Sequence, residues 1–143
     1  MVQFGIEMPV RGVDYDTVKK VALECETQGF DFAWLNDHML TFGAPDVSFL
    51  ECWTTLSALA AVTTKVRLGC YVLSNPFRYP SVSAKMAATL DAISKGRLDF
   101  GIGAGWFEPE FTAYGLDFPK ASVRIEQLEE ALAIIKKMWT EEK

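Results

Sequence analysis

The alternation of strand and helix signals over Val66–Gly105, VRLGCYVLSNPFRYPSVSAKMAATLDAISKGRLDFGIGAG, constrains the fold of this chain more than any other stretch. It reads as a strand, a helix opened by Pro80 and stopped by Gly96, and a second strand. A strand–helix–strand crossover returns the chain in the same direction, so a sheet built from such units is parallel. Polar turns bearing Pro and Gly follow both strands, at the end where a parallel sheet places its ligands.

The same unit recurs. Val2, Phe4, Ile6 and Met8 alternate with Gln3, Gly5 and Glu7, the period of a strand, and Pro9–Gly12 ends the run. From about Asp14, Val18, Val21, Ala22 and Cys25 share one helical face that Gly29 closes. Phe30–Asn36 is a second strand running into Asp37-His38, followed by a loop over Met39–Val47 with Gly43 and Pro45 as breakers. Ser48-x-x-Glu51 predicts a capping box for a second helix that buries Phe49, Cys52, Leu56 and Leu59. A third strand over Val66–Leu73 leads to a third helix over Pro80–Lys95, with Val82, Met86, Thr89, Leu90 and Ile93 as its core stripe. Leu98–Ile102 is the fourth strand and Gly103–Lys120 a longer excursion. The fourth helix carries Leu128, Ala131, Leu132, Ile135, Met138 and Trp139 at helical spacing.

The order βαβαβαβα over 143 residues, half of them apolar, predicts one α/β domain spanning 1–143. Four such units fit either an open doubly wound sheet or half of an eight-unit barrel, which takes about 250 residues. Periodicity does not choose between them.

A net charge of -5 offers no electrostatic basis for binding nucleic acid or anionic membrane. No apolar run approaches the roughly 20 residues of a bilayer span. The first residues lack the basic-then-apolar layout of a signal peptide. Cys25, Cys52 and Cys70 are odd in number and far apart. They read as small buried hydrophobes in a reducing compartment, so a cytoplasmic protein without a metal framework is expected.

Three turns bear the chemistry. His38, the only histidine, follows Asp37 at the end of the second strand. An imidazole with an ordinary pKa near ~6.5 suits proton transfer at neutral pH. Asp37 would orient it or accept from a backbone donor; the alternative is that the pair caps the loop. Ser74-Asn75-Pro76 is a turn at the ligand end, with Arg78 beyond it as a phosphate or helix-end partner, or as a solvated arginine. Gly101-Ile-Gly-Ala-Gly105 lets backbone approach a ligand and offers free N–H groups to an anion, or else permits tight packing. Its third glycine comes one position early for GxGxxG, and Trp106-Phe107-Glu108-Pro109 follows in place of a helix opening, which argues against a Rossmann site. Glu7 sits in a strand that a barrel would bury on both faces, and an ion pair with Arg67 or Arg97 is favoured over a place in the ligand pocket. Asp91, Lys95 and Arg97 are expected to tie the third helix to the fourth strand. Glu126, Glu129 and Glu130 read as a solvated face.

The motifs FAWLNDH (32–38), LGCYVLSNPFRYP (68–80), AKMAATLDAISKGR (84–97) and GIGAGWFEPEF (101–111), with Gly115, Phe118, Arg124 and Met138-Trp139, fall in one order. Together they resemble the luciferase-like monooxygenase superfamily, closest to its deazaflavin-dependent oxidoreductase branch. The resemblance implies a TIM (β/α)8 barrel, of which these residues are the N-terminal four βα units, the second half being absent. It implies an oxidoreductase that binds the deazaflavin coenzyme F-420, or alternatively FMN, and transfers hydride to or from a small organic substrate or activates oxygen. His38 and Asp37 are then catalytic, and Tyr71, Val72, Asn75, Gly103 and Gly105 contact the coenzyme, with a non-prolyl cis peptide expected at Tyr71–Val72. Some members carry a catalytic glutamate directly after the last glycine. Trp106 stands there, and Glu110 is not assigned its role, which weakens a sugar-phosphate dehydrogenase reading. A half barrel would leave its first and fourth strands as open edges, so self-association or a C-terminal half is the expected partner. Two alternatives remain: a non-catalytic half-barrel that binds coenzyme or a partner chain, and a receiver- or flavodoxin-like domain, although MPVRGVD lacks a receiver's acidic pair.

Overall fold

The computed structural model describes residues 2–44 and 46–142; the loop breaker Pro45 lies outside the described residues. Strands β1 (Gly5–Glu7), β2 (Phe32–Leu35) and β3 (Arg67–Cys70) pair in parallel, and two residues of the fourth strand, β5 (Leu98–Asp99), complete the sheet. The order β1-β2-β3-β5 is strictly sequential. A doubly wound sheet reverses its order at a switch point, so the sequence of strands decides for the half barrel. One row across the sheet reads Glu7, Trp34, Gly69, Asp99.

Helices α1 (Tyr15–Gln28), α2 (Cys52–Val62), α3 (Pro80–Ser94) and α5 (Ala121–Thr140) flank the strands. Asp14 caps α1 by accepting from the Thr17 N–H at 2.8 Å, and Gly29 closes it in the left-handed conformation. Period-two alternation along β2 and the residues after it sends Ala33, Leu35 and Asp37 into the protein, while Phe32, Trp34, Asn36 and His38 remain half-buried. Val18, Ala22, Leu35, Leu56, Leu59 and Leu68 are all buried in the core that joins α1 and α2 to the sheet.

Several expectations are corrected. The third strand is not continuous over Val66–Leu73. It changes partners at the cis Tyr71–Val72 bond: Tyr71 N donates to Leu35 O at 2.8 Å, but Leu73 N donates to Gly101 O at 2.9 Å. Beyond that point β4 (Leu73–Ser74) pairs with β6 (Ile102–Gly103) as a separate two-stranded sheet, which splits the fourth strand too. Ser48 does not cap the second helix. Glu51 does, its carboxylate accepting from Trp53 N and Thr54 N at 3.1 and 2.7 Å. The chain before it is held extended instead: Gly12 N donates to Ser48 O and Leu50 N to Val10 O, so Phe49 lies outside the helix.

The buried face of α3 is Ser83, Ala84, Ala87, Leu90 and Ser94, while Val82 and Ile93 are nearly half exposed. Small residues win that face because α5 crosses it closely: the Trp139 indole N–H donates to Ala84 O at 3.0 Å. On α5 itself Ala131 and Ile135 are buried, and Leu132 and Met138 are not. The excursion over 103–120 contains a short helix, α4 (Glu108–Ala113).

Glu7 pairs with neither arginine. It is exposed, and Arg67 is taken by Asp99, its Nε donating to Oδ1 at 2.8 Å. Arg97 spends its guanidinium on carbonyls, among them Val66 O at 2.7 Å and Ala60 O at 3.0 Å, and its Nε on Ser94 O at 2.7 Å. With Leu98 N donating to Asp91 Oδ1 at 3.3 Å, Arg97 and Asp91 do tie α3 to the fourth strand.

Candidate active site

The turns after β2, β4 and β6 enclose a cavity of about 320 Å³, to which Asp37, His38, Tyr71, Val72, Ser74, Gly103, Gly105 and Glu110 contribute. These turns lie at the carboxyl ends of the strands, where barrels carry their chemistry.

Asp37 and His38 are neighbours in sequence but not partners. The inward turn of Asp37 buries it, 4% exposed, and its carboxylate is held from three directions. Oδ2 accepts from Ser74 N at 2.9 Å and from Arg78 Nη1 at 2.6 Å, and Oδ1 accepts from Arg78 Nη2 at 2.8 Å. Arg78 Nη2 also donates to Glu51 Oε1, the cap of α2, at 2.7 Å. Arg78 is therefore neither solvated nor free for a phosphate; it is a helix-end partner. Burial alone would lower the pKa of its guanidinium, and the Asp37 and Glu51 carboxylates outweigh that and raise it. Burial would likewise raise Glu51, but the N–H groups of Thr54 and Trp53 and the charge of Arg78 hold it below its ordinary value.

His38 is oriented by Glu110 instead, which corrects the expectation that Asp37 supports it. The Glu110 side chain, 1% exposed on α4, receives three donors on one oxygen. Oε1 lies 2.9 Å from His38 Nδ1 and accepts from Met39 N and Leu40 N at 3.0 and 3.1 Å. An oxygen already accepting two backbone N–H bonds requires a donor from the ring, so Nδ1 carries the proton in the neutral imidazole and Nε2 holds the lone pair. The bond to Glu110 raises the pKa of His38; burial opposes it, and the charges of Glu110, Asp37 and Glu7 add to the rise. The rings of Phe49, Trp106 and Phe107 surround the imidazole edge-on at 5.9–6.2 Å, and Phe42 packs over the last two. Read as sequence alone, Trp106–Pro109 shows no helix opening, and Glu110 is missed; a short helix does begin at Glu108, with Pro109 in its first turn and Glu110 and Phe111 on its buried side.

The cis peptide stands at Tyr71–Val72, where the family resemblance implies it. Tyr71 stacks on Trp34 at 6.1 Å with the rings 8° apart. Asn75 does not line the cavity. Its amide turns to α5 and donates to Gln127 O at 3.4 Å. Gly103 and Gly105 let the backbone pack directly against Val72 and Ser74: a Cβ on Gly103 would stand 2.9 Å from Val72 Cγ2, and one on Gly105 would stand 3.0 Å from Ser74 Oγ in a backbone with φ of +75°. Ser74 Oγ is buried without a partner among the described residues. An apolar wall at Val72, two glycines kept free of side chains and an unsatisfied buried hydroxyl fit a flat heteroaromatic group with a hydrogen-bonding edge. Among the described residues no three metal-ligating side chains cluster, and no helix is long and apolar enough to cross a membrane.

Four sequential βα units, with a cavity at the carboxyl ends of their strands, define one half of a (β/α)8 barrel. Residues 2–143 match the family model for luciferase-like monooxygenase, and the chain belongs to that family. It is 38% identical over 123 residues to the F420-dependent glucose-6-phosphate dehydrogenase of Kineococcus radiotolerans, covering 85% of this chain and 36% of the relative. It is 35% identical over 135 residues to the pyrimidine monooxygenase RutA of Agrobacterium fabrum, covering 89% and 36%. Among solved structures, an F420-dependent secondary alcohol dehydrogenase in complex with an F420-acetone adduct superposes with a TM-score of 0.89 at 25% identity, covering 99% of this chain and 43% of that one. The chain thus spans about a third of the length of these curated relatives.

Proposed function

We propose that this chain forms the coenzyme-binding half of a luciferase-like oxidoreductase that uses coenzyme F-420, or alternatively FMN, and that His38 exchanges the proton in its reaction. The observation that carries the reading is the His38–Glu110 pair beside the cavity, which fixes the ring tautomer and leaves Nε2 without a hydrogen-bond partner among the described residues. When bound, the deazaflavin or flavin ring supplies hydride transfer, or oxygen activation in the FMN case.

Val72, Gly103, Gly105 and Ser74 would hold the ring: Val72 against its face, the glycines by close backbone approach, and Ser74 Oγ by a hydrogen bond at its edge. As a substrate carbinol loses hydride, His38 Nε2 takes the hydroxyl proton, and in the reverse direction the imidazolium returns it. Glu110 keeps the proton on Nδ1 and stabilises the imidazolium between the two events. Trp106 and Phe107 pack edge-on against the imidazole, with Phe42 packed against Phe107, and limit the orientations the imidazole can take.

The relatives named F420-dependent support F-420, and a relative named FMNH(2)-dependent dimethylsulfone monooxygenase, 32% identical over 129 residues, supports FMN. The open edges of β1 and β5 support a partner that completes the barrel, either a C-terminal half or a second copy. Three buried free cysteines support a reducing, cytoplasmic setting.

Fluorescence titration of the folded chain with FMN and with F-420, side by side, tests the reading. Saturation by one at micromolar concentration is expected and identifies the branch; saturation by neither counts against the cavity as a coenzyme site. In a full-length enzyme, His38→Ala should retain coenzyme affinity and lose about 10²–10⁴-fold in turnover, the range for a positioned acid–base group. Wild-type turnover would sink the assignment.

A further inference from the structure

Arg78 does not line the cavity, yet it governs a group that does. It follows the 3-10 turn Asn75–Phe77 and lies two residues before α3. Its guanidinium engages both oxygens of Asp37, at 2.6 and 2.8 Å, and reaches Glu51 at 2.7 Å. A two-pronged contact fixes the plane of a carboxylate as well as its charge. With Asp37 so fixed, Oδ2 is presented to the Ser74 N–H at 2.9 Å. Ser74, only 9% exposed, is the residue whose Oγ is buried at the cavity without a partner. Glu51 caps α2 through Trp53 N and Thr54 N, so the far side of the guanidinium is referenced to a helix and not to a loop.

We propose that Arg78 is a positioning residue for the coenzyme: by clamping Asp37 it holds the Ser74 backbone and so aims Ser74 Oγ at the bound ring. The assignment rests on the coenzyme reading above. It gives Asp37 a role different from supporting His38, since its hydrogen bonds set the cavity wall. It also explains an arginine at this point. A lysine would neutralise Asp37 but, as a single point of charge, would leave the carboxylate free to rotate away from Ser74 N.

The test compares wild type with Arg78→Lys, and with Asp37→Asn, which keeps one oxygen for Ser74 N but loses the charged fork. Three measurements are made on each folded chain: amide exchange at Ser74 without coenzyme, titration with FMN and F-420, and the urea midpoint. In Arg78→Lys, Ser74 N–H should exchange at least about tenfold faster while core amides of α2 and α3 are unchanged. The dissociation constant of the coenzyme should rise about tenfold, the loss of one hydrogen bond. Asp37→Asn should show the same pattern at smaller amplitude, and it carries the comparison if Arg78→Lys does not fold. A lowered urea midpoint with Ser74 exchange and coenzyme affinity within about twofold of wild type would mean a purely structural arginine, and overturns the proposal. A wild type that binds neither coenzyme, while Ser74 exchange still responds to the variants, overturns the coenzyme reading and this assignment with it. Unchanged affinity in a chain that does bind overturns the assignment alone.

Discussion

His38 Nδ1 and Glu110 Oε1 meet at 2.9 Å across 72 residues of chain, and this pair, not the adjacent Asp37, sets the tautomer of the only histidine. The same Glu110 oxygen accepts from the backbone of Met39 and Leu40, so one buried carboxylate orders both the imidazole and the loop that follows it.

Glu110→Gln should lower the pKa of His38, because the largest cause of its elevation is the hydrogen bond to a charged acceptor. A single histidine makes the NMR titration of its ring protons unambiguous. An unchanged titration curve would show that Glu110 does not control the ring. Glu110→Ala should in addition destabilise the chain by about 1–3 kcal/mol for each stranded buried backbone N–H.

The sign of the pH dependence follows from a raised histidine. His38 is protonated more readily when folded than its ordinary value of 6.5 allows. The His38–Glu110 pair therefore contributes stability that is fully present below about 6.5 and is lost as pH rises through the folded value. Urea midpoints measured across that window should fall with rising pH in wild type, and this component of the slope should vanish in His38→Ala. Parallel slopes in the two proteins would refute the linkage.

Asp37→Ala removes the two-pronged partner of a buried guanidinium, leaving it Glu51 alone, and strands the Ser74 N–H. Breaking a buried pair from one side costs about 3–5 kcal/mol, so equilibrium unfolding should shift by that order. Asp37→Asn keeps an acceptor oxygen and should cost less. A shift under about 1 kcal/mol for Asp37→Ala would place the pair among weak surface contacts.

Gly103→Ala puts a Cβ 2.9 Å from Val72 Cγ2, so the cavity wall must move. Overpacking of this kind costs about 1–3 kcal/mol, and FMN or F-420 affinity should fall because Val72 is pushed into the space beside it. Affinity equal to wild type, in a chain with a normal unfolding curve, would remove Gly103 from the coenzyme wall.

What was legible in the sequence was local. The closure of α1 and the start of α3 follow from Gly29 and Pro80, whereas α3 ends at Ser94 with Lys95, not Gly96, as its left-handed cap. Asp37-His38 stands at the ligand end of its strand because apolar alternation breaks there. The cis bond at Tyr71–Val72 was implied only by the resemblance to the family, since the residues themselves read as a plain strand. Glu7 was misjudged because an exposed carboxylate and a buried ion pair look the same in a list of residues; Asp99, 32 positions from Arg67, took the arginine. The α3 stripe was misjudged because hydrophobicity favours Val82 and Ile93, whereas the approach of α5 selects Ala84 and Ala87.

By itself the sequence determined the alternation of strands and helices, the parallel direction their crossovers impose, and the turns where ligand chemistry must lie, since each depends on residues within one or two turns of chain. Only the tertiary structure decided which groups pair in those turns. Consecutive residues leaving a strand project to opposite sides. Asp37 therefore turns inward to Arg78, 41 residues on, while His38 turns outward to Glu110, and no local pattern encodes which distant side chain each will meet.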